Sequence, residues 1–135
     1  MRAVLDANVV VSAFVSPDGP PAKIVQCWLG GDFDLVVCPH LLAEVERVLA
    51  YPKLRARVDR LEADEFVDLL RRTAVLVADP AVTPRSVDPA DDYLISLSEA
   101  SRAVLVSGDK HLLDLADSFP IETPAAFLRR LDSQE

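Results

Sequence analysis

An acidic residue directly follows a short apolar run near the start of the chain. The run at positions 3–5, Ala-Val-Leu, suits a buried strand, and Asp6 comes next. An ionised carboxylate beside a buried strand loses hydration, which is costly unless a positive charge compensates it. No Lys or Arg lies between Arg2 and Lys23, so the compensation must come from a distant segment or from a cation. We interpret Asp6 as the anchor of a metal site.

Three further segments carry acids that could complete such a site. Glu44 lies early in the helix after the second predicted strand, Asp91 and Asp92 lie in the first turn of a later helix, and Asp109 follows the fourth strand. In a parallel sheet, strand exits and helix starts meet at one edge. Because hard cations prefer oxygen ligands, the pattern predicts Mg²⁺ or Mn²⁺ rather than zinc.

Each of these acids also has a purely structural explanation. Asp88 and Asp91 resemble a capping pair, and Asp109 could simply cap the short helix that follows it. Glu44 and Glu46 flank the apolar face of their helix equally, so periodicity does not choose between them. The prediction of a metal site therefore depends on the four segments together.

Alternating strands and helices predict the fold class. Short apolar runs alternate with amphipathic stretches, which is typical of a parallel sheet covered on both faces. We predict strands at 3–5, 33–38, 74–78, 103–106 and 121, and helices at 8–15, 20–29, 39–49, 61–72, 88–101, 110–116 and 124–131, with a loop at 79–87. This is an α/β fold with about five parallel strands, whose order the pattern does not determine.

Composition limits the class of protein. The 135 residues suit one domain, and 22 acidic against 14 basic residues give a net charge of −8, which argues against a general nucleic-acid coat but not against a nuclease. Cys27 and Cys38 are the only cysteines and are expected to be reduced and buried. Neither a leader nor an apolar run of ~18 residues is present, so we expect a cytoplasmic protein and no membrane.

Taken in order, the four acidic segments resemble the PIN domain nucleases, and among them the small bacterial toxins of toxin–antitoxin systems (VapC-like). Residues 6–8, Asp-Ala-Asn, match the Asp-x-Asn signature of the family. The segments 41–49, 88–95 and 106–113 resemble those that carry its other acids, which selects Glu44, Asp91 and Asp109. The resemblance covers about residues 2–131, including the closing helix, and leaves 132–135 as a C-terminal tail. It implies a single-domain, Rossmann-like αβα sandwich.

The resemblance also implies an activity. The expected function is Mg²⁺- or Mn²⁺-dependent endoribonuclease cleavage by a metal-activated water, as the toxin of a type II toxin–antitoxin system. Asp6, Glu44, Asp91 and Asp109 would be the catalytic ligands, with Asp92 assisting as a further metal ligand. The resemblance implies an RNA substrate, a cognate antitoxin and a homodimer as partners. The residues expected to orient ligands or bound water are Asn8, Ser12 and Ser107, each of which could instead be a cap or a small turn residue.

RNA must reach an acidic edge, so its phosphates need basic contacts outside that edge. Lys53, Arg55 and Arg57 follow the third predicted helix, and Lys110 adjoins Asp109. We predict these four basic residues as RNA contacts. A solvated basic turn is the alternative for the first three.

Two other functions compete with the ribonuclease. One is a phosphatase with Asp6 as nucleophile, but such haloacid-dehalogenase-like enzymes need a second Asp where this chain has Asn8. The other is a catalytically idle PIN-like module that binds RNA or protein, against which the complete set of four acids argues.

Overall fold

The computed structural model describes residues 1–85 and 88–134, which form a five-stranded parallel sheet covered by helices. The strands are β1 (Arg2–Leu5), β2 (Asp34–Val37), β3 (Val75–Leu76), β4 (Val104–Val106) and β5 (Ile121–Glu122). Their order is β3-β2-β1-β4-β5, and every neighbouring pair is parallel. The predicted α/β class and the strand number are therefore confirmed.

The strand order creates a switch point at the middle of the sheet. From β1 the chain proceeds to β2 and β3 on one side, and then returns to β4 on the other side. In open α/β sheets, ligands bind outside the carboxyl ends of the two strands that flank such a point. The residues after β1 and β4 are Asp6 and Ser107, so both lie where this fold class places its ligand.

Eight α-helices surround the sheet in the described part of the chain. They are α1 (Ala7–Val15), α2 (Pro20–Leu29), α3 (Pro39–Leu49), α4 (Pro52–Arg55), α5 (Arg60–Thr73), α6 (Asp92–Ser101), α7 (Lys110–Leu113) and α8 (Pro124–Asp132). Pro at the first position of α2, α3, α4 and α8 has the fixed φ angle that a helix start requires. Side chains of Asp59 and Thr123 cap α5 and α8 by accepting backbone N–H groups.

Several predicted boundaries need correction. The predicted helix 88–101 is split, because Pro89–Asp91 forms a 3₁₀ turn capped by Asp88 and α6 begins only at Asp92. Residues 51–57 lie outside the predicted helices, yet they contain the single turn α4. Strand 74–78 is reduced to two residues because β3 is an edge strand with only β2 beside it. Residues 86 and 87 of the predicted loop lie outside the described residues.

The core lies on both faces of the central strands. Val4 and Leu5 of β1 and Leu35 and Val36 of β2 are completely buried. Phe127 of α8 is also fully buried, and its ring meets the Phe33 ring edge-to-face at 5.2 Å between centroids. On α5 the inward residues are Ala63, Val67 and Leu70, whereas Phe66 and Leu69 are only half-buried.

Two further features are the state of the two cysteines and the membrane-spanning potential of the helices. Cys27 and Cys38 are free thiols, and Cys38 is buried while Cys27 is partly exposed. Burial raises the pKa of the Cys38 thiol to about 11, so it stays protonated and inert. None of the described helices combines the length and the apolar character that crossing a membrane requires.

Candidate metal centre

Asp6 stands at the carboxyl end of β1 with little access to solvent. Its backbone N–H donates to the carbonyl of Val106 at 3.0 Å, which continues the pairing of β1 with β4. Its side chain is the N-cap of α1, and Oδ1 accepts from the backbone N–H of Asn8 at 3.0 Å. The residue is only 6% exposed. Burial raises the pKa of Asp6, and the hydrogen bonds from Asn8 and Ser107 oppose that rise.

Ser107 connects Asp6 to the loop after β4. Its hydroxyl donates to Asp6 Oδ2 at 2.7 Å and accepts from the backbone N–H of Asp109 at 3.0 Å. Ser107 is completely buried, so both contacts are shielded from water. Asp109 itself caps α7 by accepting from the backbone N–H of His111 at 2.8 Å. The capping role considered for Asp109 is therefore present, and it orients the carboxylate beside Asp6.

Asp91 completes the acidic cluster from the 3₁₀ turn. Desolvation raises its pKa to about 7, and hydrogen bonding and repulsion from Asp109 and repulsion from Asp6 act in the same direction. Asp91 Oδ2 is buried and has no hydrogen-bond partner. A carboxylate oxygen in that position is unfavourable unless it is protonated or binds a cation.

Two acids of α3 point to different neighbours. Glu44 pairs with Arg47 at 3.0 Å and is close enough to Asp6 to raise the pKa of that carboxyl. Glu46 instead pairs with Arg71 of α5 at 2.9 Å. The structure thus separates two residues that periodicity could not distinguish, and it places Glu44 on the side of the cluster.

The adjacent acids Asp91 and Asp92 are also separated. Asp92 is only 2% exposed, and its Oδ1 accepts from the backbone N–H of Arg85 at 3.1 Å. Asp92 therefore anchors the segment that follows β3, while Asp91 interacts with Asp6 and Asp109. Asn8 contacts Asp6 through its backbone N–H, and its side chain is exposed, as is that of Ser12 one turn further along α1.

The donor chemistry of the cluster fits a hard divalent cation. Four carboxylates approach one edge of the sheet, and burial together with repulsion among them raises the pKa of Asp6 and Asp91. Among residues 1–85 and 88–134, no three His, Cys, Asp or Glu side chains stand close enough together to hold a metal ion as they are. Mg²⁺ commonly binds one or two carboxylates and keeps several waters, so an open set of oxygen donors suits it. Asp91 Oδ2, which has no hydrogen-bond partner, is the oxygen that a bound cation would stabilise most.

The predicted basic contacts lie on the surface. Lys53 and Arg55 belong to α4, and Arg57 follows it, all three exposed. Lys110 is exposed at the first position of α7, next to Asp109. Lys110 is thus adjacent in sequence to Asp109 of the cluster. In contrast, α4 follows the C-terminal end of α3, the helix that carries Glu44.

One residue near the cluster was missed as a site residue. Tyr93 is not among the predicted site residues, yet its buried hydroxyl has no hydrogen-bond partner. Burial raises the pKa of Tyr93, and the charges of Glu44, Asp6 and Asp91 add to that effect. The signal available in the sequence was its position, two residues after Asp91.

Comparison of structures shows where this fold occurs. The chain superposes on VapBC2 from Rickettsia felis, solved with a DNA fragment from the VapBC2 promoter, with a TM-score of 0.63 and 13% identity over 91% of this chain and 98% of that one. It also superposes on PAE2754 from Pyrobaculum aerophilum with a TM-score of 0.65 and 17% identity, over 98% of this chain and 89% of that one. At these identities the similarity concerns the fold.

Sequence comparison identifies the family. An uncharacterized protein of Methanocaldococcus jannaschii, MJ1680, is 27% identical over 122 residues, which cover 87% of this chain and 76% of that protein. The profile of the PIN domain matches residues 2–111. PIN domains are nucleases that generally use divalent metal ions, which supports a nuclease activity for this chain. The chain belongs to the PIN domain family.

Proposed function

We propose that this protein is a Mg²⁺- or Mn²⁺-dependent endoribonuclease. The observation that carries the proposal is the buried Asp91 Oδ2, which has no hydrogen-bond partner and lies among the acids of the cluster. Such a carboxylate is stable only as an acid or as a ligand. If Asp91 is a metal ligand, the charge of the bound cation offsets the repulsion from Asp109 and Asp6.

Asp6, Glu44, Asp91 and Asp109 are the residues that would hold the ion. When bound, a divalent ion lowers the pKa of a water ligand and neutralises charge on the attacked phosphate. Ser107 fixes one oxygen of Asp6 and the backbone of Asp109 at the same time, so it positions two ligands. Asn8 and Ser12 are exposed on α1, and we assign them contacts with metal-bound water or the RNA backbone.

Of the two adjacent acids, Asp91 is the proposed direct ligand. We assign Asp92 a supporting role, because its carboxylate accepts from the backbone N–H of Arg85 and so ties the loop after β3 to α6; its role as a further metal ligand stays a prediction. This bond supports the 3₁₀ turn that presents Asp91.

RNA approaches through basic residues outside the acidic edge. Lys110 is the nearest candidate in sequence, and Lys53, Arg55 and Arg57 form a second group at α4. Replacing Lys53 and Arg55 with Ala should weaken RNA binding and flatten its dependence on salt, since fewer counterions are released. If the salt slope is unchanged, the α4 group is not part of the interface.

We extend the proposal to the toxin role and to a homodimer. The similarity of fold to VapBC2, a toxin–antitoxin pair by its name, supports the toxin role, and the homodimer is what the resemblance to the family implies. Expression of the wild-type chain, but not of Asp6→Asn, should then arrest growth of a bacterial host. Equal growth with both proteins would argue against a toxin while leaving the nuclease intact. Light scattering coupled to gel filtration tests the dimer separately.

The activity is tested by giving the purified protein two kinds of substrate. Generic RNA should be cleaved internally with Mg²⁺ or Mn²⁺ and not with EDTA, whereas a small phosphomonoester should remain intact. Hydrolysis of the phosphomonoester alone would favour the phosphatase with Asp6 as nucleophile. Binding of RNA without cleavage would favour the alternative of a PIN-like module that binds RNA but has no catalytic activity.

A further inference from the structure

A small hollow lies directly beside the metal centre. It has a volume of about 270 Å³ and is bounded by the start of α3, the segment after β3 and the 3₁₀ turn before α6. We call it the side hollow and define it by His40, Glu44, Asp79, Val82, Ala90 and Tyr93. Glu44 belongs both to the side hollow and to the acidic cluster, and Ala90 precedes Asp91. A ligand in the side hollow would therefore lie next to the reacting phosphate.

Tyr93 gives the side hollow an unsatisfied polar group. The residue is only 5% exposed, and its hydroxyl has no partner. Leaving a buried hydroxyl without a hydrogen bond is costly, so a ligand whose entry into the side hollow uncovers the hydroxyl and supplies that bond would be favoured. The ring itself is held by the His40 imidazole, with 4.1 Å between centroids and a 57° tilt. The outer part of His40 remains exposed.

The charge of the side hollow selects the kind of ligand. Asp79 Oδ1 accepts from the backbone N–H of His40 at 2.9 Å, and this bond lowers the pKa of Asp79. Glu44 adds a second carboxylate at the rim. Among the described residues that line the side hollow, none is Lys or Arg. Phosphate is therefore disfavoured, whereas a group with N–H donors is favoured.

The remaining walls favour a flat, partly apolar ligand. Val82 is 53% exposed and faces the side hollow together with Ala90 and two prolines. Unpaired RNA bases are commonly held by aromatic or apolar contact on their faces and by hydrogen bonds on their edges. A volume just below the ~300–1,000 Å³ range of ligand pockets suits one base rather than two.

We propose that the side hollow binds one unpaired guanine base of the substrate RNA, beside the phosphate that is cleaved. Guanine presents two adjacent donors, N1–H and the N2 amine, which match the two oxygens of the Asp79 carboxylate. This carboxylate has about four acceptor sites, of which the His40 N–H and the Cys38 thiol occupy two. The Tyr93 hydroxyl and the exposed face of His40 provide the remaining polar and stacking contacts. The proposal rests on the proposed ribonuclease function, because the guanine arrives as part of the substrate.

Binding is tested without metal and without cleavage. The ¹⁵N-labelled protein in EDTA is titrated with each of the four nucleoside 5′-monophosphates, and with ribose 5-phosphate as the control for phosphate. GMP should shift the amide signals of His40, Asp79 and Ala90. Asp79→Asn, which keeps an acceptor for the His40 N–H, should weaken GMP binding about tenfold, as expected for a lost bidentate pair. Asp64→Asn, an exposed acid on α5, is the matched control and should bind GMP like the wild type.

Cleavage gives the second readout. In an oligouridine with one guanosine, the cut should fall next to the guanosine, and Asp79→Asn or Tyr93→Phe should reduce the ratio of that cut to cuts between uridines. Equal shifts with ribose 5-phosphate, or a stronger response to another base, would overturn the proposal, as would cleavage without base preference. GMP binding at the side hollow without any RNA cleavage would support the side hollow and overturn the ribonuclease function instead.

Discussion

Replacing Asp91 with Asn should stabilise the protein in the absence of metal and remove its stabilisation by Mg²⁺. The cause is the position of the side chain, with a buried, unpartnered Oδ2 facing the carboxylates of Asp6 and Asp109. Asn has the same shape and no charge, so it relieves the repulsion while it removes a ligand. Stability and metal binding should therefore change in opposite directions.

The size of the effect follows from the pKa of Asp91. Its value rises from 3.8 to about 7 on folding, and at about 1.4 kcal/mol per pKa unit full ionisation would cost at most ~4 kcal/mol. Because the side chain keeps some contact with solvent, screening reduces this to about 1–2 kcal/mol. The folded state binds the proton more tightly, so the free energy of unfolding should fall as pH rises from about 4 to 7 and then level off.

Thermal unfolding in EDTA at pH 5 and pH 8 provides the assay. At pH 8, Asp91→Asn should unfold some 3–8 °C above the wild type, and at pH 5 the difference should shrink. Adding Mg²⁺ should raise the unfolding temperature of the wild type but not that of Asp91→Asn. Asp64→Asn on α5 is the control and should follow the wild type throughout. A variant that is less stable than the wild type at pH 8 in EDTA would refute the reasoning.

Three further variants test other parts of the account. Ser107→Ala should cost about 1–3 kcal/mol in chemical denaturation, because Asp6 Oδ2 loses its buried donor; a change below 0.5 kcal/mol on the ~1 kcal/mol scale of a hydrogen bond would contradict this. Glu44→Gln should reduce metal-dependent RNA cleavage at least ~100-fold, as for a lost ligand contact, while Glu46→Gln, on the same helix, should stay near wild type; equal losses would remove Glu44 from the site. Phe127→Ala should lower the free energy of unfolding by about 3–5 kcal/mol, and a loss near zero would show that α8 is not part of the core.

The general fold could be predicted from the sequence because its signals are local. Apolar runs at 3–5, 33–38 and 103–106 alternate with helix patterns, and Pro20, Pro39 and Pro124 mark helix starts that the structure confirms. Strand order could not be predicted in this way, since it depends on contacts between segments far apart in the chain. The switch point between β1 and β4 is visible only in the structure.

Some features of the site could also be predicted from neighbouring residues, whereas others depend on contacts between distant segments. Asp6 was recognisable because a carboxylate after an apolar strand is unusual. Glu44 and Glu46 have equivalent positions on the helix pattern, and the structure distinguishes them because Glu46 pairs with Arg71 of α5 while Glu44 lies close to Asp6. Asp91 and Asp92 are neighbours that the 3₁₀ turn directs to different partners.

Tyr93 and the side hollow could not be predicted for the same reason. The hollow brings together residues 40–44, 79–82 and 89–93, and no spacing in the sequence links these segments. An aromatic residue at the start of a buried helix is usually core. Here the ring of Tyr93 belongs to the core, but its hydroxyl lacks the hydrogen bond that buried polar groups normally have.

Divalent-ion binding by calorimetry, combined with RNA cleavage by the same preparations, tests the central claim most directly. The wild type and Asp6→Asn should both fold, and only the wild type should bind Mg²⁺ or Mn²⁺ and cleave RNA in an EDTA-sensitive manner. A folded wild type that neither binds these ions nor cleaves RNA would contradict the account, and the acidic cluster would then belong to a binding module.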